Sequence, residues 1–310
     1  MDSIEKAMFG KPLGSIVPSP SLTHHAAASR NIDLIERTAI LAGDQATPKV
    51  VESKDIKRTQ RSVMLDMERI RSDGLLVVDA QRSRIKEEYR HIKRALLINS
   101  DGKGANAAKP LNLIVVTSAR PGEGKTFTAC NLALSIATER NRRVLLVDAD
   151  VLRPSVAKTL GFDADLGLVD FLIDDQLELA EVLISTNIPS LTILSAGSKH
   201  HLSAELLASD NMRRLTGELS QRYQDRIVIF DAPPLLATTE ASILAGLMGQ
   251  VVLVVESGKT PQSAVKEALA MLNPHQIIGF LLNKTRDILA SDFSGYGYGY
   301  GYQYSPNADE

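Results

Sequence analysis

From position 111 onward, apolar runs of strand length recur at 113–117, 144–148, 191–194, 227–231, 251–255 and 277–282. Helical patterns over 126–139, 204–223, 239–247 and 262–272 fall between them. The runs are continuous rather than alternating with polar residues, so both faces of each strand must be covered. Strands of that kind separated by helices hold the chain to a parallel sheet sandwiched between helical layers. In such sheets ligands sit beyond the carboxyl ends of the strands.

The polar motifs fall at those ends. IVVTSARPGEGKTFTACNLA places a predicted strand, a glycine-bearing loop and a helix in succession. Gly124-Lys125-Thr126 matches the close of the phosphate-loop pattern GxxxxGK(S/T), with Ala119 where its first glycine would stand. Gly122 and Gly124 let the backbone approach phosphate, and successive N–H groups with the helix N-terminus make an anion cradle. Lys125 supplies a point charge for β- and γ-phosphates, and the Thr126 hydroxyl suits Mg²⁺. The predicted nucleotide site is Ala119, Arg120, Pro121, Gly122, Glu123, Gly124, Lys125, Thr126 and Phe127.

VLLVDADVLRP ends a second run with Asp148 and Asp150, and IVIFDAPPLL ends another with Asp231. An unpaired buried carboxylate is costly. A Mg²⁺ ion held at the sheet edge by Thr126, Asp148, Asp150 and Asp231 gives these residues a reason to be there.

Outside the sheet the chain is less regular. Residues 1–72 lack sustained periodicity and are predicted to be an N-terminal extension, with short helices over 3–9 and 31–42. Residues 73–290 are the predicted phosphate-loop domain, beginning with a short strand over 75–78 and a charged helix over 84–97. On that helix Glu87, Arg90 and Lys93 recur at a spacing of three, which is read as one face. Residues 291–310 form a low-complexity tail in which glycine alternates with Tyr296, Tyr298, Tyr300, Tyr302 and Tyr304, five of the seven tyrosines. That alternation cannot build a helix, and the tail is expected to be mobile.

The 35 basic and 37 acidic side chains give a net charge of −2, which provides no basic field for nucleic acid. The single cysteine, Cys130, excludes an internal disulfide framework and fits a reducing compartment. No stretch approaches the roughly 18 apolar residues of a spanning helix. The first residues carry no cationic-then-apolar secretory pattern. The expectation is a cytoplasmic protein whose contact with a membrane runs through a partner.

Taken in order, the three motifs resemble those of the bacterial tyrosine kinases. That family carries a Walker A segment TSxxPGEGK(S/T), a Walker A′ segment of apolar residues followed by DxD and a nearby Arg, and a Walker B segment ending DxPP. Here they read Thr117 to Thr126, Asp148-Ala149-Asp150 with Arg153, and Asp231-Ala232-Pro233-Pro234. Family members often place the Arg two residues after the second Asp, where this chain has Leu152, so Arg153 is the candidate for that role. Glu87, Arg90 and Lys93 are similar to the family's ExxRxxR oligomerisation motif, with Lys in the last place. Asn283 matches a position that contacts adenine in related ATPases, and SIEKAM looks like the start of the subgroup encoded with exopolysaccharide and exosortase (PEP-CTERM) loci.

The resemblance implies an α/β fold with a doubly wound, mostly parallel sheet of the MinD/ParA-like P-loop type. It implies an ATP-dependent tyrosine autokinase, using ATP and Mg²⁺, that regulates exopolysaccharide biosynthesis and export. Lys125, Asp148, Asp150 and Asp231 are its catalytic residues on this reading, with Asp148 orienting or deprotonating the acceptor hydroxyl. The acceptors are the tail tyrosines of a neighbour in a ring-like homo-oligomer. Further implied partners are a separate membrane activator, which holds the protein at the inner face of the cytoplasmic membrane, and a tyrosine phosphatase. Two other readings stay open. One is a MinD/ParA-like positioning ATPase, whose signature lysine is Arg120 here and which leaves the tail unexplained. The other is a nucleotide-controlled, non-catalytic scaffold for polysaccharide assembly.

Overall fold

The computed structural model describes residues 61–79, 83–102, 109–222 and 226–285. The expected helices over 3–9 and 31–42 and the tyrosine tail lie outside the described residues. Eight described strands are β1 (Arg61–Val63), β2 (Leu113–Ser118), β3 (Arg143–Asp148), β4 (Leu183–Thr186), β5 (Leu191–Leu194), β6 (Arg226–Asp231), β7 (Gln250–Glu256) and β8 (Ile277–Asn283). They form one sheet in the order β1-β4-β5-β3-β6-β2-β7-β8. All neighbours are parallel except β4 and β5, so β1 and β4 run against the other six strands.

Alternate residues of the central strands enter different cores. Leu113 and Val115 of β2, Leu145 and Val147 of β3, and Val228 and Phe230 of β6 enter one cluster. Ile114 and Val116, Val144 and Leu146, and Ile227 and Ile229 enter the other. In the central strands a continuous apolar run means that period-two geometry sends consecutive side chains to opposite faces, both covered. The run in edge strand β8, expected to be covered likewise, leaves Ile277, Phe280 and Leu282 exposed.

The first core is closed by α5 (Leu168–Ile173), α6 (Leu179–Val182), α7 (Ser203–Leu206), α8 (Asp210–Arg222), α9 (Thr239–Leu247) and α10 (Gln262–Ala270). The second is closed by α1 (Met67–Ser72), α2 (Arg84–Asp101), α3 (Lys125–Ala137) and α4 (Val156–Leu160). In α3 every residue from 128 to 137 is buried, because the helix lies between the sheet and α2. Its fully buried Leu132, Leu134 and Ile136 each contribute about 2 kcal/mol. α3 is therefore a rigid base for the loop before it.

Several elements depart from the sequence reading. β1 and α1 lie within the stretch 1–72, so part of that stretch belongs to the sheet domain, with Leu65 and Ile70 buried in the second core. Residues 75–78 are not a strand. Leu75, Leu76 and Val77 are buried, but the Leu76 amide donates to Asn131 Oδ1 of α3 at 2.6 Å rather than to a neighbouring strand. The helix expected over 204–223 is divided into α7 and α8 at Ser209, whose hydroxyl accepts from the Met212 amide at 3.2 Å as a new N-cap.

Lys93 also departs from its expected place. Steps of three residues fall about 60° short of a full helical turn, so Lys93 is rotated about 120° from Glu87. Glu87 is half-buried and Arg90 exposed, and they pair with each other at 2.8 Å. Lys93 is buried and turns toward α3, where Nζ donates to the Ser135 carbonyl at 2.8 Å and Thr138 Oγ1 at 3.1 Å and pairs with Glu139 at 2.7 Å. A cation here satisfies carbonyls at the C-terminus of α3 and complements its dipole. Lys93→Met, which keeps the stem and removes the donor, is expected to lower unfolding free energy by about 1–3 kcal/mol. Urea denaturation checks this, and an unchanged midpoint would contradict the assigned role.

Candidate active site

Adjacent positions in the sheet bring the three motifs together. β3, β6 and β2 are consecutive strands, and Asp148 lies opposite Asp231 in the β3–β6 register. The loop from Ala119 to Gly124 follows β2 and enters α3. It is tied to the DAPP turn: Thr117 Oγ1 donates to the Pro233 carbonyl at 2.7 Å, and the Leu235 amide donates to the Ser118 carbonyl at 2.8 Å.

The loop has the conformation of an anion cradle. Gly122 and Gly124 take φ of 84° and 95°, a left-handed region where a side chain would be strained. α3 starts at Gly124 with no side-chain cap. Among the described residues no protein group accepts from the amides of Gly122, Glu123 or Gly124. Those donors and the first turn of α3 are available to a phosphate. Ala119 is fully buried, so the position of the missing glycine packs against the core.

The charged groups are close. Lys125 Nζ lies 2.6 Å from Asp150 Oδ2, and Thr126 Oγ1 shares a hydrogen bond of 2.9 Å with Ser155 Oγ. Asp148 Oδ2 accepts from the amides of Ser155 and Val156, both at 2.9 Å. Its Oδ1 and both oxygens of Asp231 are buried without a hydrogen-bond partner, although Thr126 lies beside Asp231 and helps to hold its pKa down. Burial pushes Asp231 up to about 8; Lys125 opposes the shift and Asp148 adds to it. Burial likewise raises Asp148 to about 6, against the pull of the two amide bonds.

Three orphaned carboxylate oxygens beside a phosphate cradle fit a divalent cation. Asp231 and Thr126 are the residues that would hold it; Asp150 is engaged with Lys125, and Asp148 stands beside them with one oxygen unpartnered. No group of three or more His, Cys, Asp or Glu side chains among the described residues is arranged to enclose an ion alone. Mg²⁺ keeps several waters and uses one or two carboxylates together with substrate phosphates, so few protein ligands are needed for it.

The cleft over the loop has a volume of about 510 Å³. Besides loop residues, Phe127, Leu152, Arg153, Pro233 and Ala237 line it, so the position departing from the family pattern places an exposed leucine at the mouth with Arg153 beside it. Asp148 lines a second cleft of about 490 Å³, with Arg69, Lys158, Ser195 and Gly197 around it. Asn283 donates from Nδ2 to the Glu123 carbonyl at 2.9 Å. The structure gives Glu123, predicted only as part of the nucleotide site, a bracing role, and adds Thr260, which sequence reasoning did not assign. Glu123 is buried and accepts from the Arg120 amide at 2.8 Å and from the Thr260 hydroxyl, bracing the loop against the end of β7. Only its place inside PGEGK hinted at this; Thr260, 137 positions away, carried no signal.

An AAA domain family model matches residues 111–273. The tyrosine-protein kinase YwqD of Bacillus subtilis is 33% identical over 226 residues, covering 72% of this chain and 91% of that protein. The succinoglycan biosynthesis transport protein ExoP of Rhizobium meliloti is 31% identical over 68% of this chain but only 26% of its own length. The kinase domain of Escherichia coli tyrosine kinase ETK superposes with a TM-score of 0.59 at 26% identity, covering 73% of this chain and 84% of that one.

The raised carboxyls make stability depend on pH. A carboxyl whose folded pKa lies above its unfolded value near 4 binds its proton more tightly in the fold, so stability falls as pH rises from about 4 through about 8. Asp231→Asn removes the larger contribution. The ligand-free variant is expected to be more stable than the parent at about pH 8.5, by at least about 1 kcal/mol, and little changed at about pH 4. Thermal melts across this range check it, and an equal shift at both ends would contradict it.

Proposed function

The chain belongs to the bacterial tyrosine kinases and is a protein-tyrosine kinase of exopolysaccharide biosynthesis, and on that premise we propose that its acceptors are the tail tyrosines of a neighbouring copy. The observation that carries the reading is the phosphate cradle beside Asp148, a base with one oxygen fixed by two amides and the other unpartnered. ATP is the phosphoryl donor, with its phosphates on the amides of the loop and Lys125. Mg²⁺, when bound, neutralises the charge of the triphosphate.

In this scheme Asp148 Oδ1 accepts the proton of the tyrosine hydroxyl. The phenolic oxygen bonds to the γ-phosphorus, the bond from that phosphorus to the bridging oxygen breaks, and ADP leaves. Burial gives Asp148 a higher basicity than a solvated carboxylate, yet it remains mostly ionised at neutral pH. Asp150 holds Lys125 across the cleft until phosphate oxygens compete for it. Phosphoryl transfer depends mainly on positioning and charge neutralisation, which this arrangement supplies.

β8 runs parallel to β7, and β7 to β2, so the chain leaves Asn283 at the same sheet edge as the cradle. Tyr296 lies 11 positions and Tyr304 19 positions beyond Thr285. At full extension these stretches span about 35 Å and 60 Å, and in this reading they carry the tyrosines to the site of an adjacent subunit. Half-buried Glu87 and exposed Arg90 are the candidate ring contact. Phosphate on five tyrosines would add roughly −7.5 to −10 charges, which the three aspartates would repel, loosening the ring.

No described helix is long and apolar enough to cross a membrane. The name of the Rhizobium relative supports placing the enzyme in polysaccharide biosynthesis and transport; in this reading a separate membrane activator tethers it and a tyrosine phosphatase resets the tail. Lys125→Met is expected to lower tail phosphotyrosine at least about 100-fold in purified protein given Mg·ATP. Phosphosite mapping by mass spectrometry checks this; a persistent signal on Tyr296 to Tyr304 would sink the assignment.

A further inference from the structure

We propose that Asn283 and Lys284, at the end of β8, are positioning residues that aim the amides of the phosphate loop. The inference rests on the reading of that loop as the phosphate cradle. Lys284 Nζ donates to the Gly122 carbonyl at 2.7 Å, and Asn283 Nδ2 donates to the Glu123 carbonyl at 2.9 Å. Two consecutive carbonyls are thus held from one side. In a trans peptide the C=O and N–H point in opposite directions. Holding the Gly122 carbonyl therefore turns the Glu123 amide the other way, and holding the Glu123 carbonyl does the same for the Gly124 amide. These two amides lack a protein acceptor among the described residues. Successive N–H groups turned to one side form an anion-binding concavity.

Two further observations point the same way. Lys284 has φ 55°, and it is the one non-glycine residue with positive φ among those described. That conformation is disfavoured for a residue with a side chain and persists where the surroundings fix it. Here the Ser257 amide donates to the Asn283 carbonyl at 2.8 Å, and Glu256 lies 3.3 Å from the Lys284 ammonium. Gly124 has no room for a β-carbon because the Asn283 amide nitrogen occupies that space. The glycine of GKT thus admits Asn283 as well as a phosphate. The clamp also stands 12 positions before Tyr296, so the strand end that shapes the loop is the one that launches the tail.

The test uses the full chain with Lys284→Met, Asn283→Leu and the rescue variant Lys284→Arg. Binding of inorganic pyrophosphate, which has no base, is measured by calorimetry beside binding of ADP and the KM and kcat for ATP. Lys284→Met is expected to weaken pyrophosphate about 3- to 10-fold and Asn283→Leu at least as much. Lys284→Arg should restore affinity to within about two-fold, because it keeps a charged donor. KM for ATP should rise in parallel, with kcat changed less. Unaltered pyrophosphate affinity in both variants would overturn the proposal. So would a loss confined to ADP, which would leave Asn283 as a base contact only. Because pyrophosphate binding needs no acceptor, a protein that binds normally but leaves its tail unmodified would count against the acceptor assignment alone.

Discussion

The structure depends on a shortage of positive charge at one edge of the sheet. Asp148, Asp150 and Asp231 are all buried there, and Lys125 is the cation that meets them, paired with Asp150. Two of the three carboxyls are left with oxygens that nothing satisfies, and burial holds both well above the ordinary carboxylate range. A protein selected for stability alone would replace such groups with apolar ones. Their presence makes sense when a cation and a triphosphate complete the pocket, which turns the unfavourable burial into binding selectivity.

Packing makes that arrangement possible. The charged strand ends sit on β3 and β6, next to β2, all three buried on both faces, and α3 is covered by the sheet and α2. Rigid neighbours prevent the aspartates from relaxing away from one another. The loop is held in turn from two directions, by the DAPP turn on one side and by Thr260, Asn283 and Lys284 on the other. Preorganisation of this kind lets phosphate contacts form with little rearrangement.

Much of this was legible in the residues. Continuous apolar runs determine a two-sided sheet, and carboxylates at the ends of two such runs must meet if those strands are neighbours. The missed features share a physical cause: they depend on contacts between residues far apart in the chain. β1 (RSV) and β4 (LIST) are three and four residues long and partly polar, so neither stands out as an apolar run. The stretch 75–78 has strand-like composition, yet Asn131 captures the Leu76 amide before a strand can. Lys93 shares a sequence spacing with Glu87 and Arg90, but accumulated helical rotation sends it inward. Glu123, Thr260 and Lys284 brace the loop through pairings across 137 or more positions, which no local pattern encodes.

The central claim is that the buried acids are a seat for metal-bound nucleotide, and proton release on binding tests it most directly. Titration of Mg·ADP at about pH 7.5, in buffers of differing ionisation enthalpy, counts the protons exchanged. A carboxyl raised to about 8 in the empty pocket must give up its proton when a cation takes its place. The account therefore predicts release of roughly half to one proton per site, abolished in Asp231→Asn. Binding of Mg·ADP with no proton released would contradict it.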